Sequence, residues 1–171
     1  MNLAILTVSD RSARGEREDR SGPILKELVE RQGWNVLAEN VLPDEQGEIE
    51  TQLEEWSDSG SIDLILTTGG TGFAPRDRTP EATRNVIDRH APGLAEAMRL
   101  ASLRKTPHAM LSRAVAGIRN RTLIVNLPGS PRGARENLQA IMQVLPHAID
   151  LLREAPGSEA GHQNLPPVQH L

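Results

Sequence analysis

The sequence predicts an α/β fold: a three-layer, mostly parallel sheet with helices on both faces and a β-hairpin at its edge. Three observations carry this. Short apolar runs, such as Leu3–Val8 and Ile62–Thr67, alternate with segments of helical spacing. Polar or glycine-rich stretches follow each run, as loops leaving buried strands do. Finally, Ala114–Ile118 and Thr122–Asn126 flank a tight turn at Arg119–Arg121, the pattern of hairpin strands.

Taken in order, Leu3–Val8 reads as the first strand and Ser9–Arg20 as an exposed polar loop. A helix opens at Ser21 or Gly22, with Pro23 suited to its first turn and Gly33 to its end. Trp34–Leu42 is the second strand, stopped by Pro43. Asp44 can cap a helix whose apolar face is Ile49, Leu53 and Trp56. Ile62–Thr67 is the third strand. Thr79 fits an N-cap and Pro80 a first helical residue, for a helix reaching about Arg89. Another helix covers Leu94–Leu103, and Arg132–Arg153 reads as one long helix facing the core with Leu138, Ile141, Met142, Leu145, Ile149 and Leu152. The domain is expected over residues 1–154. Residues 155–171, poor in apolar side chains, are expected to form a flexible tail.

Composition narrows the classes of function. A chain of 171 residues supports one sizeable core. With no cysteine, disulfide frameworks and thiolate zinc sites are excluded, which agrees with a cytoplasmic setting. A formal charge of −4 and 2% aromatic residues give no footprint for a nucleic-acid partner. No apolar run is long enough to span a bilayer, and the opening "MNLAILTVSD" reads as a strand, not a signal peptide. The five histidines show no metal-ligand spacing.

The loops leaving the carboxyl ends of the strands are where such sheets bind ligands. In "TTGGTGFAPRDRTPEAT", Gly69, Gly70 and Gly72 free the backbone to turn N–H groups toward an anion, and Thr68 and Thr71 add hydroxyls. A phosphate cradle and a plain tight turn both suit this pattern, which is neither a Walker loop nor a dinucleotide fingerprint. "NLPGSP" places Gly129 and Ser130 before a helix, as an anion site or a simple cap. Asp44 and Asp77 at neighbouring strand ends would repel each other unless a cation such as Mg²⁺ lay between them. Ser112 and Arg113 offer a hydroxyl and a fork of donors. Phe73 is expected to plug the core, and Asp19, Ser21 and Gly22 form a capping sequence.

Together, "AILTVSDRSARGEREDRSGP", "LPDEQ", "DLILTTGGTGFAPRDRTPEAT", "PHAMLSRAVAGIR" and "LIVNLPGSP" resemble the molybdopterin adenylyltransferases of molybdenum cofactor biosynthesis, the MogA/MoaB group and the matching domain of plant Cnx and animal gephyrin. The resemblance runs in order from about Leu3 to Arg153. It implies a MogA-like molybdopterin-binding fold and the reaction of molybdopterin with MgATP to give adenylyl-molybdopterin and pyrophosphate. The family's catalytic aspartates map onto Asp44 and Asp77, which would position Mg²⁺. Gly69, Gly70, Thr71 and Gly72 would bind substrate, with Ser112, Gly129 and Ser130 lining the same pocket. Ser9, Asp10, Asp19, Ser21, Gly22 and Thr79 complete the expected substrate-binding set. The resemblance further implies a homotrimer or hexamer and hand-over of product to a molybdenum insertase. A non-catalytic molybdopterin-binding or carrier protein is the alternative.

Overall fold

The computed structural model describes residues 1–156. Its strands are β1 (Asn2–Val8), β2 (Asn35–Leu42), β3 (Leu64–Thr68), β4 (Arg89–His90), β5 (Ala116–Arg119) and β6 (Thr122–Leu127). Its helices are α1 (Asp10–Ala13), α2 (Ser21–Glu30), α3 (Gln46–Asp58), α4 (Thr79–Val86), α5 (Pro92–Leu103), α6 (Pro131–Ile141) and α7 (Leu145–Leu152), with a 3₁₀ turn at Pro107–Leu111. One sheet has the order β2-β1-β3-β6-β5-β4. The strands β2, β1, β3 and β6 run parallel, and β5 is antiparallel to both of its neighbours.

Alternation along the strands divides the core. Leu3, Ile5, Leu64, Leu66, Leu123 and Val125 face one side and pack on α2, α5, α6 and α7. Ala4, Leu6, Val8, Ile65 and Ile124 face the other and pack on α3 and α4. Helices therefore cover both faces, as a parallel sheet requires, and the predicted three-layer architecture is observed.

The differences from expectation are local and have physical causes. The single helix expected over Arg132–Arg153 is two, broken at Met142–Val144. Pro146 lacks the N–H that would continue the ladder, and its ring disfavours an unbroken helix. The break still delivers Leu145 and Ile149 to the core but leaves Met142 and Leu152 only partly buried. The helix expected to reach Arg89 stops at Val86, and Arg89–His90 pairs with Ile118 and Gly117, so the hairpin is not the outermost element. Its turn is built on Asn120 at φ 53°, a left-handed conformation that asparagine tolerates. The Ser9–Arg20 loop contains the short helix α1, capped by the Ser9 hydroxyl accepting from the Ser12 N–H at 3.3 Å. Phe73 does not enter the core; it is 67% exposed at the tip of the glycine loop. Of the expected tail, residues 157–171 lie outside the described residues.

Candidate functional site

The sheet order places β2 and β3 on opposite sides of β1, so the connections leaving β1 and β3 diverge at their carboxyl ends and open a crevice. A cavity of about 520 Å³ lies there. It takes Ser9, Asp10, Asp19 and Ser21 from the connection after β1, Asp44 from that after β2, Gly69, Gly70 and Asp77 from that after β3, and Gly129 and Ser130 from that after β6. Ten of the predicted site residues therefore meet in one hollow although they are far apart in sequence.

Close backbone packing makes this possible. Gly69 (φ 103°) donates its N–H to the Leu127 carbonyl at 3.2 Å, and a Cβ there would collide with the Val8 carbonyl oxygen. Gly70 (φ 61°) has no room for a side chain beside the Thr79 hydroxyl, and an added Cβ would lie 2.9 Å from Asp44 Oδ1. The glycines thus serve as tight-turn residues and also line the cavity with bare backbone. The tight-turn alternative is thus observed, with the same backbone facing the cavity.

Asp44 and Asp10 are reciprocally bonded. The Asp10 N–H donates to Asp44 Oδ2 at 3.0 Å, and the Asp44 N–H donates to Asp10 Oδ1 at 3.1 Å. Asp44 is therefore not the helix cap that its position suggested; Glu45 occupies the cap of α3. Burial pushes the Asp44 carboxyl above its ordinary pKa, and the charges of Asp10 and Asp77 add to the effect against the Asp10 N–H bond. Arg76 grips Asp10 with two bonds, at 2.9 and 2.8 Å, and reaches Glu45 at 2.9 Å. That bidentate contact is the main cause holding the Asp10 carboxyl below the usual range. Asp77 closes its own turn, accepting from the Ala74 N–H at 2.9 Å.

Other predicted residues have structural duties. Asp19 lines the cavity, but its carboxylate accepts from the Thr7 hydroxyl at 2.6 Å and from the N–H groups of Ser21 and Gly22 at 2.9 and 3.2 Å. It thereby caps the start of α2. Gly22 does not line this cavity; a Cβ there would lie 2.5 Å from the Asp19 carboxylate. Thr79 is fully buried and neither caps α4 nor lines the cavity, because its hydroxyl donates to the Gly69 carbonyl at 2.9 Å. Ser21 donates to the Gly129 carbonyl at 2.8 Å, and Ser130 caps α6 by accepting from the Gly133 N–H at 3.1 Å.

Thr71, Gly72 and Ser112 fall on the other side of the glycine loop. They line a second cavity of about 300 Å³ between α5, the 3₁₀ turn and α6, with Ala109, Leu111 and Pro128 as apolar walls and Lys105 at its rim. The two cavities share Ser130. The expectation of one common pocket is thus corrected to two adjoining ones.

Sequence reasoning missed a set of basic side chains. Arg11, Arg14, Arg17 and Arg20 all line the larger cavity. Their regular spacing in a segment leaving a strand's carboxyl end was the available signal, but a polar loop reads as solvated. Arg113, expected to offer a fork of donors, precedes the hairpin. Its guanidinium bonds the carbonyls of Gly72 and Asp77 at 2.6 and 2.7 Å and pairs with Glu81. Burial, the largest influence, would raise the Glu81 carboxyl, but the Arg113 contact, a backbone N–H bond and the nearby Arg84 together bring the net shift downward.

Comparison with known proteins places these features in a family. A family profile described as "Probable molybdopterin binding domain" matches residues 4–147. A Helicobacter pylori protein named molybdopterin adenylyltransferase is 43% identical over 154 residues, covering 89% of this chain and 88% of the relative. The molybdenum cofactor synthesis protein cinnamon of Drosophila melanogaster is 43% identical over 89% of this chain, which spans only 26% of that longer protein. Among solved structures, the molybdopterin biosynthesis enzyme MoaB of Thermus thermophilus superposes with a TM-score of 0.86 at 56% identity, covering 91% of this chain and 98% of that one. With the fold, the glycine loop and the profile in agreement, the chain belongs to the molybdopterin-binding domain family that includes the MogA and MoaB proteins.

Proposed function

We propose that this chain transfers the adenylyl group of ATP to molybdopterin and releases pyrophosphate. The observation that carries the proposal is the pair of adjoining cavities meeting at the glycine loop and Ser130, with Asp44 and Asp77 converging in the larger one. Relatives named molybdopterin adenylyltransferase support it at 43% identity over most of the chain.

The larger cavity suits the nucleotide, since its four arginines can meet a triphosphate and its carboxylates can hold the accompanying cation. The smaller, partly apolar cavity suits a flat pterin, with Lys105 at the rim for its phosphate. A phosphate oxygen of molybdopterin then attacks the α-phosphorus of ATP. The new oxygen–phosphorus bond forms as the bond to the β-phosphate oxygen breaks, and pyrophosphate leaves with its electron pair. The attacking oxygen is already ionised, so no general base is needed. The protein's contribution is to align two anions and offset their repulsion. Bare backbone at Gly69 and Gly70 permits close approach, while Arg11, Arg14, Arg17 and Arg20 face the charge of the departing pyrophosphate.

The residues present fit a divalent cation. Asp44 and Asp77 line one cavity, burial followed by the charges of Asp10 and Asp77 pushes the Asp44 pKa up, and Arg76 is committed to Asp10 and Glu45. One or two carboxylates beside substrate phosphates is the ligand set that Mg²⁺ takes. Bound there by Asp44 and Asp77, Mg²⁺ would supply charge neutralisation between polyphosphate and carboxylates.

Assembly as a homotrimer or hexamer, a cytoplasmic setting and hand-over to an insertase belong to the same reading. Exposed Leu100, Leu103, Met110 and Leu111 on α5 and the 3₁₀ turn support self-association. Among the described residues no helix is long and apolar enough to cross a membrane. The deciding experiment measures Mg²⁺-dependent pyrophosphate release from ATP with molybdopterin. Release by the unaltered protein, lost in Asp77→Asn with pterin binding retained, is the expected result. Binding of molybdopterin with no release by the unaltered protein would instead identify a carrier.

A further inference from the structure

We infer that Arg113 is a positioning residue that locks the wall between the two cavities, so that filling the smaller one fixes Asp77 in the larger. The inference rests on the adenylyl-transfer reading. The wall is the segment from Thr71 to Asp77. Thr71 and Gly72 line the smaller cavity, and Asp77 lines the larger. Between Thr71 and Thr79 no side chain is buried, so packing does not hold this segment.

Arg76 ties its middle to Asp10 and Glu45, and Arg113 holds it at both ends. Its own N–H donates to the Thr71 carbonyl at 2.9 Å, and its Nε donates to the Gly72 carbonyl at 2.6 Å. Nη2 donates to the Asp77 carbonyl at 2.7 Å, while Nη1 pairs with Glu81 on α4. One residue thus fixes the wall's first residues, its last residue and the helix behind it, and lysine cannot reproduce the planar fork that does so. The neighbouring residue, Ser112, lines the smaller cavity. A ligand seated against Ser112, Thr71 and Gly72 restrains the chain on both sides of the fork, and the restraint reaches Asp77 through it. Arg113 itself touches neither reacting atom.

The test compares the unaltered protein with Arg113→Lys and Glu81→Gln in two measurements, steady-state transfer and calorimetric binding of a non-hydrolysable ATP analogue with and without molybdopterin. For Arg113→Lys, kcat is expected to fall by roughly tenfold or more while KM for each substrate stays within about threefold. Molybdopterin should tighten binding of the analogue to the unaltered protein, and this enhancement should vanish in the variant. Added guanidinium should restore part of kcat to Arg113→Ala. Glu81→Gln, which keeps an acceptor but frees the fork, should show the same split more weakly; it decides the matter if the Arg113 variants do not fold. A folded Arg113→Lys with unchanged kcat and unchanged enhancement, or a loss residing wholly in one KM, overturns the inference. An unaltered protein that releases no pyrophosphate overturns the functional reading, and the binding enhancement then still decides the role of Arg113.

Discussion

Arg113 and Arg119 stand at opposite ends of β5 and use the same chemistry to different ends. Arg119 grips Asp58 at 2.9 and 2.8 Å and donates to the Val86 carbonyl at 3.1 Å. It joins the ends of α3 and α4, which are already regular and already packed on the sheet. Arg113 grips a segment that, from Gly72 to Arg78, buries no side chain, and it holds the backbone of Asp77. An arginine fork between regular elements is one support among several. Beneath an irregular loop, shared with Arg76 and with the turn that Asp77 closes, the same fork is a support that packing does not duplicate.

The largest expected effect is at the carboxylates of the larger cavity, one of which Arg113 positions. Asp77→Asn and Asp44→Asn should each lower kcat by on the order of a hundredfold or more, measured as pyrophosphate release. Asp44→Asn also carries a stability signature with a definite sign. Burial, with the charges of Asp10 and Asp77, raises the folded-state pKa of Asp44. Between the unfolded value and that raised one, the folded state binds more protons, so this stabilisation is present at low pH and lost as pH rises. At neutral pH and without metal, the Asp44→Asn variant should melt above the unaltered protein, and the gap should close on acidification. An equal or lower melting point at pH 7 would contradict the electrostatic account.

Next comes Gly69→Ala, which forces a β-carbon into the Val8 carbonyl at a left-handed position. A loss of roughly 1–3 kcal/mol in denaturant unfolding is expected, together with loss of turnover. The smallest effect is Arg119→Ala. It should lower the melting midpoint by a few degrees and leave kcat unchanged, because Asp58 is partly solvated and the elements it joins pack independently. If Arg119→Ala impaired kcat as much as Arg113→Lys, the contrast between the two forks would fail.

The strands and the glycine loop were legible because alternation, apolar runs and φ-permissive residues are local signals. Asp44 and Asp77 were legible as candidate site residues through their positions after strands, and the structure brings both to one cavity. The duty of Thr79 was misread because it depends on a partner across the fold, whereas the capping sequence at Asp19, Ser21 and Gly22 was legible. Thr79 answers the Gly69 carbonyl, and Gly22 makes room for Asp19 and Thr7. Arg113 was noticed but not understood, since bonds to three backbone carbonyls and one carboxylate leave no trace in spacing. The break before Leu145 was announced by Pro146, and the apolar periodicity running through it masked the signal.

Asp63, just ahead of β3, accepts from the Asn2 N–H at 2.6 Å and from Arg153 Nε at 2.8 Å. The first strand and the end of α7 are therefore fastened to one carboxylate at the amino pole of the parallel strands, remote from both cavities. This geometry accords with the match to roughly a quarter of the longer cinnamon protein.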